Sequence, residues 1–224
     1  MRNFFLFFGP YFLPAYLIGS IPYGYLFGRL KGIDIRQCGS GNIGATNVWR
    51  VLGREWGLLI FVLDFLKVPV AFWIHQKLYG LMGIAPLEPW LESMALILLF
   101  LGGVLGHNYP VWLKFKGGKG IATTLGVMIG LAIKIEGMRL VLGLSLLIWL
   151  VIFLGTGYVS LASIITATLL PVVMMLTSQS LELVVMGIIF CIFVVLRHRA
   201  NIKRLLSGKE PRVQLFSKKI KIAA

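Results

Sequence analysis

Residues 138–156 read MRLVLGLSLLIWLVIFLGT and residues 159–177 read VSLASIITATLLPVVMMLT, two apolar runs separated only by Gly157 and Tyr158, with Arg139 their single charged side chain. A helix that is apolar on every face is buried in lipid or deep inside a protein. A run of about 20 such residues matches the hydrocarbon thickness of a bilayer. Working outward, five further stretches have this character, at about 4–28, 56–77, 93–112, 119–135 and 181–197. The 224 residues are 58% hydrophobic and 13% charged, against roughly 25% charged in soluble domains. The expected fold is therefore all-α: a polytopic integral membrane protein with about seven transmembrane helices. No low-complexity linker divides the chain, so residues 1–224 are expected to form a single membrane-embedded domain. The first stretch follows Met1-Arg2 as a signal peptide would, but it lacks a small-residue cleavage site and holds Pro10, Pro14 and Pro22. It reads as a retained first span.

The formal charge of +14 falls in short clusters between the apolar runs rather than along one soluble face. That pattern argues against nucleic acid as a partner and for anionic lipid head groups and phosphorylated substrates. Loops rich in Lys and Arg stay in the cytoplasm. With the C-terminus inside, that side holds Arg29, Lys31, Arg36, Arg50 and Arg54, then Lys114, Lys116 and Lys119, then nine cations in 197–221. The opposite side holds Arg2, Lys77, Lys134 and Arg139, while Lys67 falls within a span. The asymmetry places the N-terminus outside and the C-terminus in the cytoplasm. Every polar, glycine-rich segment then faces the cytosol. Small-residue spacings such as Gly102/Gly106 and Gly126/Gly130 read as close packing between spans. Cys38 and Cys191 lack metal or redox spacing and are expected as free thiols.

Three of the cytoplasmic segments carry candidate chemistry. The first is Gly39-Ser40-Gly41-Asn42-Ile43-Gly44-Ala45-Thr46-Asn47-Val48-Trp49-Arg50. Residues 39–44 match G-x-G-x-x-G, but a dinucleotide fold needs a strand and a βαβ unit that a loop between membrane spans cannot supply. What remains is a run of small, hydroxyl and amide residues leading into a short interfacial helix. Backbone N–H groups at a helix start, with Arg50 nearby, suit a phosphate; the alternative is a flexible linker. The second runs from Gly106-His107-Asn108-Tyr109-Pro110 to Lys114-Phe115-Lys116-Gly117-Gly118-Lys119-Gly120. It resembles a P-loop only superficially, because Leu113 and Gly120 stand where glycine and a Mg²⁺-binding hydroxyl belong. Lys119 at the start of the fourth span adds charge to a positive helix end, whereas Lys114 and Lys116 satisfy the positive-inside pattern. The third is Arg197-His198-Arg199-Ala200-Asn201. Its cations suit anionic lipids; His198 and Asn201, three apart, share a helix face, and a histidine there can equally be a simple cap.

Ser160 lies at a helix start, where serine is commonly an N-cap. Asp64 and Lys67 are ionisable residues inside a span, functional candidates by default, though they can also just neutralise each other. No G-x-S-x-G, H-E-x-x-H or aspartate-rich metal cluster occurs, so no metal is expected. None of His75, His107 and His198 has Asp five positions on. No carboxylate accompanies the three motifs, which leaves His198 as the obvious side-chain base.

Together, Ser40 to Arg50, Gly106 to Gly120 and Arg197 to Asn201 resemble the bacterial acyl-phosphate:glycerol-3-phosphate acyltransferase family, PlsY, in order and spacing over nearly the whole chain. The family pattern has Gly after the span lysine where this chain has Val68-Pro69. The resemblance implies a seven-span enzyme of the bacterial inner membrane, with its active site on the cytoplasmic side. It would move a fatty acyl group from long-chain acyl phosphate to the 1-hydroxyl of sn-glycerol 3-phosphate, giving lysophosphatidic acid and phosphate. Carried residue by residue, Ser40, Gly41, Asn42, Thr46, Arg50, Lys119, Ser160, His198 and Asn201 would bind the phosphates, with Arg50, Lys119, His198 and Asn201 also catalytic. The proton acceptor is either His198 or a substrate phosphate. Neither a cofactor nor an obligate protein partner is implied, because acyl phosphate is already activated. The competing class is a phosphate or glycerol-phosphate carrier, against which the spans show no inverted repeat and the motifs sit at one face instead of the midplane.

Overall fold

The computed structural model describes residues 2–81 and 88–213; Lys218, Lys219 and Lys221, counted above on the cytoplasmic side, lie outside the described residues. Those residues are helical and irregular, with no strand among them. In chain order the helices are α1 (Arg2–Gly19), α2 (Tyr23–Leu30), α3 (Ala45–Leu52), α4 (Arg54–Leu81), α5 (Pro89–Asn108), α6 (Ile121–Lys134), α7 (Met138–Thr156), α8 (Val159–Leu176), α9 (Leu181–Arg197) and α10 (Arg199–Leu206). Single 3-10 turns occupy Ile35–Gln37 and Val111–Leu113. Four segments are long and apolar enough to cross a membrane: α4, Leu91–Leu113, α7 and α8. A fifth candidate is α9 taken with α10, the two bent by 60° at His198. Large apolar side chains such as Leu154 and Leu176, 64% and 80% exposed, are what lipid-facing helices present.

Three of the expected spans, 138–156, 159–177 and 181–197, coincide with α7, α8 and α9 to within a residue. Two others differ. The stretch 4–28 is divided, because α1 stops at Gly19 and α2 starts at Tyr23. Pro22 has no N–H to continue a helix and its ring disfavours helical geometry at Ile21. The stretch 119–135 yields α6, whose 14 residues reach about 21 Å, short of the roughly 30 Å hydrocarbon core. Its start is delayed to Ile121 because Gly120 takes a left-handed φ of +80°.

The chain divides into two compact units, Met1–Ile135 and Glu136–Ala224. In the first, α1 lies along α5, and α4 packs against α1, α5 and α6. Contact is close because glycine lines it: a methyl group on Gly102 would overlap the Phe12 carbonyl, and one on Gly106 the Tyr16 carbonyl. Gly126 of α6 meets the Phe65 carbonyl of α4 in the same way, whereas Gly130 has only the Phe100 ring nearby, at an ordinary 3.5 Å. Of the four glycines read as packing, three are indispensable contacts. In the second unit α8 packs against both α7 and α9. Met174, Met186 and Phe190 are buried there, and Trp149 Nε1 donates to Ser163 Oγ at 3.2 Å.

Candidate active site

The 39–50 segment is a fixed loop, not a linker. Ile35, Ile43 and Val48 are buried with Ile60 of α4, and Leu113 joins the same cluster, so apolar anchors from the first and second motifs pack together. Asn47, 2% exposed, organises the loop's polar groups. Its Oδ1 accepts from the Ser40 N–H at 2.7 Å, while Nδ2 donates to the carbonyls of Ile35, Cys38 and Asn42 at 3.2, 3.1 and 2.8 Å. Asn42 Oδ1 accepts from the Gly44 N–H at 2.8 Å, closing an Asx turn immediately before α3. Gly39 and Gly41 take left-handed φ of +58° and +69°, which a side chain would strain. The geometry leaves Ser40 and Gly41 exposed. Thr46 and Arg50, four apart on α3 and half-buried, share one face of it. Arg36, by contrast, is chelated by Asp34, with Nη2 at 2.6 Å from Oδ2. That hydrogen bond draws the Asp34 carboxyl down to about 2.

The second motif is wrapped around the end of α5. The Gly117 N–H donates to the Asn108 carbonyl at 3.2 Å and the Gly118 N–H to the His107 carbonyl at 3.0 Å. Lys114 and Phe115 both take positive φ, 51° and 61°, turning the chain back, and Lys119 stands two positions before Ile121, the first residue of α6. Lys119 is half-buried. Below the loop, Lys67 Nζ lies 2.8 Å from Asp64 Oδ1, both side chains almost fully buried. His107 Nδ1 lies 3.2 Å from Lys67 Nζ and 3.4 Å from Asp64 Oδ1. Asp64 and Lys67 thus do neutralise each other, but as part of a three-residue cluster.

In the second unit, Ser160 is not an N-cap: Tyr158 holds that position. Ser160 Oγ instead donates to Glu210 Oε1 at 2.7 Å, and Asn201 Nδ2 donates to the same oxygen at 2.6 Å. Arg204 Nε pairs with Oε2 at 2.7 Å. The expectation that no carboxylate accompanies the motifs is thereby corrected. Glu210 brings Ser160 of α8 and Asn201 of α10, fifty and nine residues away in sequence, onto one acceptor. Burial works against ionisation of Glu210, yet hydrogen bonds from Ser160, Asn201 and Arg204, with the Arg204 charge, outweigh it and hold the carboxyl below the ordinary glutamate range. His198 caps α9, as one reading of it expected, and is 3% exposed. Its Nδ1 lies 2.8 Å from the Val194 carbonyl. A carbonyl only accepts, so Nδ1 carries the proton and, in the neutral ring, Nε2 carries the lone pair. Among the described residues no group of three or more His, Cys, Asp or Glu side chains is placed to hold a metal ion.

Residues 10–208 match the model of the family described as glycerol-3-phosphate acyltransferase. This chain belongs to that family. The glycerol-3-phosphate acyltransferase of Aquifex aeolicus is 42% identical over 198 residues, 88% of this chain and 95% of the relative. That of Desulforudis audaxviator is 45% identical over 199 residues, 88% and 91% of the two chains. Among solved structures, the fold is similar to PlsY, an integral membrane glycerol 3-phosphate acyltransferase, in its glycerol 3-phosphate form. The TM-score is 0.75 at 42% identity, covering 89% of this chain and 92% of that one. The lysophosphatidic acid form gives a TM-score of 0.72 at 40% identity, covering 90% and 93%.

Within this acyltransferase-family chain, sequence reading missed three organising residues. Asn47 stands inside the quoted motif, and the signal that could have singled it out is an amide, both donor and acceptor, closely following a glycine-rich turn whose backbone groups need partners. Glu210 lies nine residues beyond Asn201, and only the scarcity of acidic residues in the chain marked it. His107 was quoted as part of its motif without a role; its partners are 40 residues or more away on α4.

Proposed function

We propose that this chain transfers a fatty acyl group from long-chain acyl phosphate to the 1-hydroxyl of sn-glycerol 3-phosphate. The observation that carries the reading is the 42% identity, over nearly the whole chain, to an integral membrane glycerol 3-phosphate acyltransferase solved in its glycerol 3-phosphate form. The hydroxyl oxygen attacks the acyl carbonyl carbon, the ester bond forms, and the acyl C–O bond to phosphate breaks. Inorganic phosphate leaves with the electron pair. The hydroxyl proton passes to His198 Nε2 or to a substrate phosphate, whose second pKa of about 6 suits it to that task. Ser40, Gly41, Asn42, Thr46, Arg50, Lys119, Ser160, His198 and Asn201 bind the phosphates, Ser160 by turning its hydroxyl away from Glu210, and Arg50 and Lys119 neutralise charge as the phosphate departs. Acyl phosphate is already activated, so the chemistry rests on proximity and charge with no cofactor.

The same reading takes residues 1–224 as one membrane-embedded domain of the bacterial inner membrane. Seven helices span, with α1 and α6 added to the five candidates and the shortness of α6 met by local thinning of the bilayer, the N-terminus outside, and the C-terminus and active site cytoplasmic. Two features support it: the cation asymmetry, and helix α1, whose 18 residues reach about 27 Å. The test is purified protein in detergent given glycerol 3-phosphate with acyl phosphate, acyl-CoA or acyl carrier protein as donor. Lysophosphatidate from acyl phosphate alone is expected, and without a sealed compartment this also rules out transport as the sole activity. Equal or better use of acyl-CoA would overturn the donor assignment.

A further inference from the structure

The Asp64, Lys67 and His107 cluster is ionisable, buried and unused by the chemistry above. Placing Asp64 and Lys67 inside a span is costly, and such residues are retained for a reason. The far edge of the His107 ring shows what the cluster touches. A methyl group built on Gly118 would overlap His107 Nε2, with Cε1 and Cδ2 at 2.8 and 2.9 Å, and these ring atoms are its three nearest neighbours. The backbone at Gly118 is also tied to the His107 carbonyl at 3.0 Å. Lys119 is the next residue, and Gly120 then turns left-handed into α6. Thr123 of α6, fully buried, donates to the Asp64 carbonyl at 3.2 Å. The loop, the first turn of α6 and the ion pair on α4 are therefore joined through one imidazole and one hydroxyl.

We propose that Asp64, Lys67 and His107 form a buried support that fixes the 117–120 turn and so sets the position from which Lys119 meets the phosphate of glycerol 3-phosphate. They are positioning residues. Asp64 and Lys67 hold the Nδ1 edge of the ring, and the Nε2 edge forms the floor on which Gly118 rests. The proposal depends on reading Lys119 as a phosphate ligand.

The test is steady-state kinetics of the purified enzyme in detergent, varying glycerol 3-phosphate and acyl phosphate separately. His107→Ala and Gly118→Ala are each expected to raise KM for glycerol 3-phosphate roughly tenfold or more, the scale on which small misplacements act. KM for acyl phosphate should stay within about twofold, a split that simple loss of folded enzyme does not produce. In the double variant the added methyl occupies space the ring has vacated, so KM should be no higher than in His107→Ala alone. Additive losses in the double variant, or an equal rise in both KM values, would overturn the proposal. Asp64→Asn with Lys67→Met removes both charges together, leaves no lone buried ion, and is expected to raise the same KM even if His107→Ala does not fold. Lys119→Met separates the two layers of the reading. If it leaves KM for glycerol 3-phosphate unchanged, the phosphate-ligand assignment fails and the support with it. If it raises that KM while the His107 and Gly118 variants do not, only the support is refuted.

Discussion

Replacing Glu210 tests whether the second unit is held together as described. The carboxylate, 6% exposed, accepts from Ser160 and Asn201 on one oxygen and from Arg204 on the other. Glu210→Gln can keep the amide oxygen toward Ser160 and Asn201 but turns an N–H₂ against Arg204. The loss is one charge-assisted hydrogen bond. The Arg204 side chain is 32% exposed and can rehydrate, so the cost sits toward the low end for such bonds, about 1.5–2 kcal/mol. Glu210→Ala removes all three bonds and strands two donors whose residues are only 5% and 4% exposed, Ser160 and Asn201. Among the described residues Asn201 Oδ1 already has no hydrogen-bond partner, so its amide would then lose its Nδ2 bond as well. That raises the cost to about 3–5 kcal/mol. Thermal unfolding in detergent, followed by tryptophan fluorescence, should show Tm falling by roughly 3–8 °C for Gln and 6–20 °C for Ala. An alanine variant melting within about 2 °C of wild type would refute the reasoning; Gln as damaging as Ala would assign the energy to the Arg204 pair alone. The pH dependence has a definite sign. Because the folded carboxyl lies below the ordinary glutamate value of 4.5, its contribution is fully present above that value and is lost as pH falls through the folded one. The stability gap between wild type and Glu210→Gln should therefore be constant near neutrality and close under acid.

Asn47→Asp keeps the acceptor for the Ser40 N–H but removes the donor to three carbonyls, and should cost about 3 kcal/mol or more by thermal unfolding while raising KM for glycerol 3-phosphate. Gly126→Ala drives a methyl into the Phe65 carbonyl and should destabilise by about 1–3 kcal/mol, whereas Gly130→Ala, with only the Phe100 ring at 3.5 Å, should leave Tm nearly unchanged. His198→Ala should abolish turnover at saturating substrate if the imidazole is the essential base; near-normal turnover would assign the proton to the substrate phosphate.

What the amino-acid sequence determined by itself is the local pattern. Unbroken apolar runs set α7, α8 and α9 because lipid requires the backbone to satisfy its hydrogen bonds within each segment. Clustered Gly, Ser, Asn and Lys located the loops, since those residues mark turns through their own conformational freedom and side-chain hydrogen bonds. The helix breaks were less legible: Pro22 ends one helix while Pro10, Pro14, Pro69 and Pro171 sit inside others, so the presence of proline alone does not tell a break from a continuing helix. Only the tertiary structure decided how the motif residues are held. Glu210 reaches Ser160 across fifty positions, and His107 meets Lys67 across forty. Such bonds have no period and no local spacing, because they exist only once separate helices have packed and left a polar group that must find its partner inside.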